Sequence, residues 1–278
     1  MTTDFDPLLL QRCAESMAGG WLADAEMQSL HGWWKPQRER AAGLVELFKG
    51  LPIEAWSDAI LAHRSHRHPW YDWLATEVTV REFATFMLEN RYFPSFLLLV
   101  ERVMEAQICD VARDALQRNV DDERLPVPHA DLMRRLMLAL KTKAGDGLVL
   151  DSYASLADRT LILHYGYYCD PWCLVGALFM IETMALHRMQ KMNEGLRRLG
   201  LSEQELEFVS IHLTCDEDHA REWSECVIHP SVELQPQRRV AIAEGIAVAL
   251  ETMEHYLDDL VTRAASQRAA AGAAVQVR

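Results

Sequence analysis

Two histidines and one aspartate in the C-terminal half of the chain have the spacing of metal ligands on a helix. His212, Asp216 and His219 occupy positions i, i+4 and i+7, which lie within roughly 60° of one another around an α-helix. Two imidazoles and a carboxylate bind first-row transition metals, and the carboxylate favours iron or manganese. The pattern therefore indicates a metal site, against the alternative of a charged surface helix that carries two incidental histidines.

The element that must position these three side chains is predicted to be a helix over residues 203–226. Ser202 can cap its N-terminus, and Glu203 and Glu205 suit the positive end of a helix dipole. No proline or glycine interrupts the segment before Pro230, so one helix can carry all three ligands.

Glu182 provides a second signal of metal binding. It lies within an apolar run, residues 178–186, of a long helix that Pro171 is predicted to start. Its neighbours at i−4, i−3, i+3 and i+4 are apolar, and a carboxylate on such a face is costly to bury unless it is paired or bound to a metal. We therefore predict that Glu182 is a metal ligand.

The end of a predicted helix over residues 106–123 offers further ligands. Asp121, Asp122 and Glu123 stand at its C-terminus, where the helix dipole favours positive charge. A bound cation would explain these acids, and so would a solvated turn. His129 follows at the start of the next predicted helix, so Glu123 and His129 join the candidate set.

Four helices together supply three histidines and three carboxylates. This is the inventory of a non-haem dinuclear iron site in an all-helical bundle. A ferritin-like bundle needs Glu-x-x-His pairs, and no glutamate of this chain is followed by histidine three residues later, so that fold is disfavoured. The candidate ligands are Glu123, His129, Glu182, His212, Asp216 and His219.

The order of these residues resembles the pattern of the haem-oxygenase-like diiron oxidases and oxygenases. In that pattern an Asn-x-x-x-Glu helix end is followed by a histidine, a proline-led apolar helix with a glutamate, and a His-x-x-x-Asp-x-x-His segment. Here it is carried by Asn119, Glu123, His129, Pro171, Glu182, His212, Asp216 and His219, after segments at 68–70 and 93–96 that look like the family's opening helices. The resemblance covers about residues 66–260 and implies an all-α, haem-oxygenase-like seven-helix bundle with both irons between helices.

The resemblance also implies an activity. The expected enzyme holds two iron ions per chain, the second in a site that loses its metal easily, and uses O2 as co-substrate. It would oxidise a small molecule derived from an amino acid, an amine or a fatty acid, by N-oxygenation or oxidative C–C cleavage, in natural-product biosynthesis. An external electron donor and a second copy of the chain, in a homodimer, are the other expected partners. Three questions stay open: whether Glu89 or Glu101 adds a ligand, whether manganese replaces iron, and whether the aromatic residues of 165–172 wall a pocket or only the core.

Relatives of the same fold keep two other reactions open. Pyrroloquinoline quinone synthase uses O2 without a metal, and thiaminase II uses a cysteine nucleophile. Cys215 lies in the ligand helix, but its position is turned by roughly 60–100° from that of His212, so it is predicted to be a buried thiol. A non-enzymatic helical interaction protein is a third alternative, although it would leave Glu182 unexplained.

Composition and charge set the broad class. The 278 residues are 50% hydrophobic and 25% charged, as in globular proteins with a sizeable core. The net charge of −13 disfavours nucleic acid or an anionic membrane as a partner, and no apolar run reaches the roughly 18 residues of a membrane span. The N-terminus lacks the features of a signal peptide, and the six cysteines form no Cys-x-x-Cys pair, so we expect reduced thiols and a cytoplasmic location.

The chain is predicted to form three parts. Residues 1–65 are expected to be an N-terminal helical extension that packs on the core or takes part in a dimer interface. Residues 66–263 are expected to form the haem-oxygenase-like metal-binding domain. Residues 264–278, which are rich in alanine, are expected to be a disordered tail.

Overall fold

The computed structural model describes residues 7–276 apart from 18, 20 and 152, and the side chains of that range apart from those of 7, 215–218, 267 and 270–276. Within this range the chain forms helices and no strand, which confirms the all-α prediction. The α-helices are α1 (Pro7–Met17), α2 (Asp24–Arg40), α3 (Ala42–Gly50), α4 (Trp56–Ala62), α5 (Pro69–Thr76), α6 (Val80–Glu89), α7 (Phe96–Met104), α8 (Asp110–Arg124), α9 (His129–Ala144), α10 (Ala154–Tyr168), α11 (Pro171–Arg198), α12 (Glu207–Glu222), α13 (His229–Leu234) and α14 (Arg238–Gln276). Short 3₁₀ turns span Ile53–Ala55, Arg64–Arg67 and Asn90–Tyr92, and a π-helical segment spans Trp223–Ile228.

The two long helices α11 and α14 cross at close range. Gly176 on α11 and Gly245 on α14 lie at the crossing, where a Cβ on either residue would overlap a backbone carbonyl oxygen, that of Ile242 or that of Cys173. Glycine is required here because only its bare backbone permits such an approach. The crossing fixes α11, which carries Glu182 at its middle, against the rest of the bundle.

The apolar core consists of two clusters, and α11 contributes to both. The larger cluster contains residues of α1–α4, α7, α8 and α10, and it includes α11 as far as Met184. The smaller cluster contains residues of α5, α6 and α9, and it includes α11 from Met189 onward. Glu182 therefore lies close to the junction of the two clusters.

The N-terminal segment packs into the larger cluster. Trp34 of α2 stacks on Tyr165 of α10, with ring centroids 4.3 Å apart and planes inclined by 8°. The indole Nε1 of Trp56 donates to the carbonyl oxygen of Phe48 at 2.9 Å, and both side chains are fully buried. The extension thus packs on the core of the chain, while the predicted boundary at residue 65 stays a prediction.

The helix with the predicted ligands begins later and continues further than the sequence indicates. Ser202 does not cap it: its N–H and hydroxyl both donate to Glu205 Oε2, at 2.7 Å and 2.8 Å, and the helix starts at Glu207. Helical backbone then continues through the π segment into α13. Pro230 lies just beyond the π segment, and a proline is a common cause of such a local widening because it cannot donate a backbone hydrogen bond.

The C-terminus also differs from the expectation. Helix α14 continues to Gln276, whereas the sequence analysis expects a disordered tail from residue 264; positions 277 and 278 lie outside the described residues. The alanines that leave this segment without a core-facing stripe also have the highest helix propensity of all residues. None of the described helices has the length and apolar character needed to cross a lipid bilayer.

Candidate metal centre

Three of the predicted ligands form a compact cluster at the start of α9. Glu123 lies in the last turn of α8, His129 is the first residue of α9, and His212 lies in the second turn of α12. One donor atom from each lies within 4.8 Å of the other two. His129 Nδ1 is 3.1 Å and His212 Nε2 is 3.9 Å from the same oxygen, Glu123 Oε1. This spacing suits a shared metal ion.

The chemistry of His129 fits a metal ligand. Its ring is only 2% exposed, and neither ring nitrogen has a hydrogen-bond partner, because the short contact to Glu123 lacks the angle of a hydrogen bond. A buried polar group without a partner costs about 1–3 kcal/mol. A metal ion bound to one nitrogen would remove that cost, so the residues present fit a metal.

His212 is held in the tautomer that a ligand needs. Its Nδ1 lies 2.6 Å from the carbonyl oxygen of Phe208, one turn earlier on α12. The carbonyl can only accept, so Nδ1 carries the proton and donates, and the lone pair is on Nε2, the nitrogen that faces Glu123. Such a hydrogen bond from the outer nitrogen is the usual support of a metal-bound histidine.

A second group of predicted ligands lies further along α12. His219 Nδ1 is 3.8 Å from Glu182 Oε2, and both side chains are 6% exposed. On its other side, His219 Nε2 is 3.2 Å from Asp122 Oδ2, whose side chain is 59% exposed. The carboxylate of Glu182 is therefore buried beside an imidazole, as its apolar sequence neighbours predict.

Asp216 lies on α12 between the two groups. It follows His212 by four residues and precedes His219 by three, so its Cα belongs to the same helical face as theirs. Its side chain lies outside the described residues, as does that of Cys215. The six predicted ligands thus divide into Glu123, His129 and His212 at one end of the helical face and Glu182 and His219 at the other, with Asp216 between them in sequence.

The structure adds two residues that the sequence analysis did not select as ligands or ligand partners. Asp122 contacts His219 directly, although only its neighbour Glu123 is in the predicted set. Asn119 is 2% exposed, neither atom of its side-chain amide has a hydrogen-bond partner, and it borders a small void together with His219. The sequence contains one signal for Asn119, because this residue belongs to the Asn-x-x-x-Glu helix end on which the resemblance rests.

The two carboxylates considered as further ligands have other partners. Glu89 accepts hydrogen bonds from the backbone N–H of Asp151 and the hydroxyl of Tyr153, both at 3.2 Å, and its burial raises the pKa of its carboxyl group. Glu101 forms an ion pair with Arg124 at the surface. Neither belongs to the cluster of Glu123, His129 and His212.

Three of the cysteines, Cys13, Cys169 and Cys173, are poor nucleophiles. Burial raises the pKa of Cys13 to about 12 and that of Cys169 to about 11, and it raises the pKa of Cys173 well above the ordinary value. Because the thiolate is the nucleophile, these three thiols are inert at neutral pH. A hydrolase of the thiaminase type gains no support from them.

A cavity of about 650 Å³ opens beside Glu182. Glu182 and Thr183 of α11 line it together with residues of α4 and of the π segment. The aromatic residues of 165–172 do not line it: Tyr165 stacks on Trp34, and the hydroxyl of Tyr168 donates to the carbonyl oxygen of Cys13. Those aromatic residues pack in or against the core, as the second of the two alternatives in the sequence analysis expects.

Comparison with known proteins connects this geometry to a family. The family model described as "iron-containing redox enzyme" matches residues 81–254, which is well over half of the chain. Two crystal structures of a CADD-like protein of unknown function from Nostoc punctiforme are similar in fold, each with 15% sequence identity. One has a TM-score of 0.54 and the match covers 81% of this chain and 98% of that one; the other has a TM-score of 0.52 with 83% and 96% covered. No curated protein sequence matches the chain.

Proposed function

The chain belongs to the family of haem-oxygenase-like iron-containing redox enzymes, and from this premise we propose that it is a non-haem diiron enzyme that uses O2 to oxidise a small molecule. One observation carries the proposal. Two groups of buried or partly buried ligand-type side chains, Glu123 with His129 and His212, and Glu182 with His219, lie along one face of α12. A single ion would need only one of these groups.

The residues divide between two ions in this proposal. Glu123, His129 and His212 would hold the first, and Glu182 and His219 the second. Asp216 stands between the two groups in the helix, and it would complete the set of ligands. Two iron ions held in this way would supply the binding and reduction of O2.

The chain itself provides orientation and exclusion of water. The Phe208 carbonyl keeps the proton on His212 Nδ1, which maintains the ligating tautomer when the metal is lost and rebound. Burial of Glu182 and His219 lowers the local dielectric and strengthens every electrostatic interaction of the second group. Asp122, on the exposed side of His219, can accept a hydrogen bond from the ring nitrogen that does not face Glu182.

Within this reaction class, the substrate types are those that the resemblance implies: derivatives of amino acids, amines or fatty acids, oxidised by N-oxygenation or C–C cleavage, in natural-product biosynthesis. A ferrous pair that reduces O2 becomes oxidised, and it must be reduced again by the substrate or by another donor. An external electron donor therefore belongs to the proposal. A homodimer is also part of it.

Loading the metal-free protein with Fe(II) under anaerobic conditions tests the proposal. We expect about two iron ions per chain, a loss of about one upon Asp216→Ala or His219→Ala, and an absorbance change in stopped flow when O2 is mixed in. Manganese loaded in the same way would bind without that change. An unaltered iron content in both variants, or no reaction with O2, would contradict the diiron assignment.

A further inference from the structure

The cavity beside Glu182, which we call the Glu182 cavity, is lined by helices from two parts of the chain. One wall is α11, with Glu182, Thr183 and Leu186. A second wall is α4, with Ser57 and Leu61. The family match begins at residue 81, so the α4 wall comes from the part of the chain that the family model does not match.

The α4 wall is firmly positioned. Ser57 and Leu61 are one turn apart and share a face of the helix, and both line the cavity. Trp56 and Ile60, on a neighbouring face, are fully buried in the larger core cluster. Because the core holds that face, the side chains at 57 and 61 bound the cavity on the side of α4.

Two histidines that line the cavity, His66 and His187, bring no positive charge to it. The rings of His66 and His187 lie 4.9 Å apart and both line the cavity. Burial lowers the pKa of His66 to about 4 and also lowers that of His187. Both rings are therefore neutral at pH 7, so they present hydrogen-bonding groups and ring faces to a ligand.

The rim of the cavity carries more negative than positive charge. Glu54 and Glu225 line it at exposed positions, and among the lining residues that the structure describes Arg221 is the only lysine or arginine. His229 Nε2 lies 3.7 Å from Glu54 Oε1. This contact connects the N-terminal segment to α13 across the rim. With Glu182 at the inner end, carboxylates outnumber guanidinium groups, and the whole chain has a net charge of −13. Such a site attracts cations and repels anions.

We propose that the Glu182 cavity is the substrate site, that Ser57 and Leu61 limit the size of the substrate, and that Glu54 and Glu225 select a small molecule with a protonated amine. This rests on the proposed function, since the connection of the cavity to the iron site is Glu182, a proposed ligand that lines it. The substrate would place its amine at the rim and extend the part that is oxidised towards Glu182, an orientation that suits C–C cleavage and not N-oxygenation of that amine. Glu123, His129 and His212 do not line the cavity, so the first ion would lie away from it.

Three probes of equal length test the charge preference: n-hexylamine, n-hexanol and hexanoate, each titrated by calorimetry into the metal-free protein. We expect hexylamine to bind at least about tenfold more tightly than the other two. Replacing both rim carboxylates, in Glu54→Gln/Glu225→Gln, should abolish this preference and leave hexanol binding unchanged. Equal binding of the three probes to the wild type, or tighter binding of hexanoate, would overturn the proposal.

Two substitutions test the role of the α4 wall. Ser57→Trp and Leu61→Trp should each weaken hexylamine binding at least about tenfold by filling the cavity. Ala62→Trp, on the same helix but at an exposed position, is the matched control and should bind like the wild type. If circular dichroism shows that a tryptophan variant is unfolded, Ser57→Phe and Leu61→Phe replace it with a smaller ring. Unweakened binding in folded variants of both positions would contradict the assignment.

Iron loading separates this inference from the proposed function. Neither Ser57 nor Leu61 is a proposed ligand, so their variants should take up as much Fe(II) as the wild type. If the wild type binds two irons but shows no amine preference, the substrate assignment fails and the diiron assignment stands. If the amine binds as expected but iron does not, the diiron assignment fails. The cavity is then an amine-binding site in a protein without a diiron centre.

Discussion

The Nδ1 atom of His219 lies 3.8 Å from Oε2 of Glu182, and this contact joins α12 to the middle of α11. Both side chains are almost completely buried. Burying a carboxylate costs several kcal/mol in desolvation, which a bound cation would offset. The pair therefore indicates that Glu182 favours metal binding and lowers the stability of the metal-free protein.

Glu182→Ala should separate these two effects. The substitution removes the buried carboxylate, so the metal-free variant should have a thermal midpoint equal to or above that of the metal-free wild type. Iron content after Fe(II) loading should fall by about one ion per chain or more, and Fe(II) should no longer raise the thermal midpoint as much as in the wild type. Differential scanning calorimetry and iron analysis of both proteins provide the measurements.

The matched control for this substitution is Glu194→Ala, at an exposed position twelve residues further along α11. It should leave the iron content unchanged. It should shift the thermal midpoint by no more than corresponds to about 0.5 kcal/mol in the free energy of unfolding. Full iron binding by Glu182→Ala would show that Glu182 is a structural carboxylate and would overturn the diiron assignment.

His129→Phe tests the first group of ligands. In the metal-free protein it replaces a buried ring without hydrogen-bond partners by an apolar ring, so we expect the free energy of unfolding to rise by about 1 kcal/mol. In the presence of Fe(II) the order should reverse, because the variant lacks a ligand of the first ion and the wild type gains stability by binding. Urea unfolding with and without Fe(II) measures both.

The double variant His129→Phe/His212→Phe sharpens this test. If the two histidines hold one ion, the second substitution should cost no further iron, and their effects on iron binding should not add. Additive losses would place the two residues in different sites. His255→Phe, at an exposed position on α14, serves as the control and should leave iron binding unchanged.

Residue types and their order predict most of the candidate site. Glu182 stands out because a carboxylate within an apolar run is rare, and the spacing from His212 to His219 needs only the geometry of a helix. Glu123 and His129 can be paired in advance because only residues 125–128 separate their helices. Asp122 could not be assigned a separate role from that of Glu123, since the rotation of α8 in the folded chain decides which histidine of α12 each of these adjacent acids reaches.

The parts that sequence reasoning misses depend on contacts between distant segments. Ser57 and Leu61 have ordinary types and spacing, and only the packing of α4 against α11 gives them a place in the cavity. Gly176 and Gly245 resemble helix-weakening residues in the sequence, and their purpose becomes visible only where α11 and α14 cross. The Ser202 cap fails for a local reason, because Glu205 accepts both hydrogen bonds of Ser202.

The crossing of α11 and α14 should tolerate no side chain. Gly176→Ala and Gly245→Ala each place a Cβ on a backbone carbonyl oxygen, so the helices must move apart, and we expect a loss of about 1–3 kcal/mol in the free energy of unfolding. Gly43→Ala, in a helix where a Cβ would have no neighbour within 4 Å, should instead gain up to about 1 kcal/mol because alanine is the better helix former. Urea unfolding of the three variants gives the comparison. Equal effects of the three substitutions would show that the helices are not in close contact.

Buried histidines should make the protein less stable in mild acid. Burial lowers the pKa of His164 from 6.5 to about 4, so the unfolded chain takes up a proton at a higher pH than the folded one. The stabilisation is fully present above pH 6.5, and it is lost as the pH falls towards 4. The difference between the two pKa values corresponds to roughly 3 kcal/mol.

His164→Phe should remove this part of the pH dependence. The variant loses only a 3.4 Å hydrogen bond from Nε2 to the carbonyl oxygen of Tyr92, so at pH 7 we expect it to be within about 1–1.5 kcal/mol of the wild type. Its free energy of unfolding should then fall less between pH 6.5 and pH 4.5 than that of the wild type, because carboxylates and the other histidines act equally in both proteins. His255→Phe, at an exposed position, should keep the slope of the wild type. Urea unfolding at the two pH values decides the matter: an identical slope in His164→Phe and the wild type would mean that His164 takes up its proton in the folded protein as readily as in the unfolded chain.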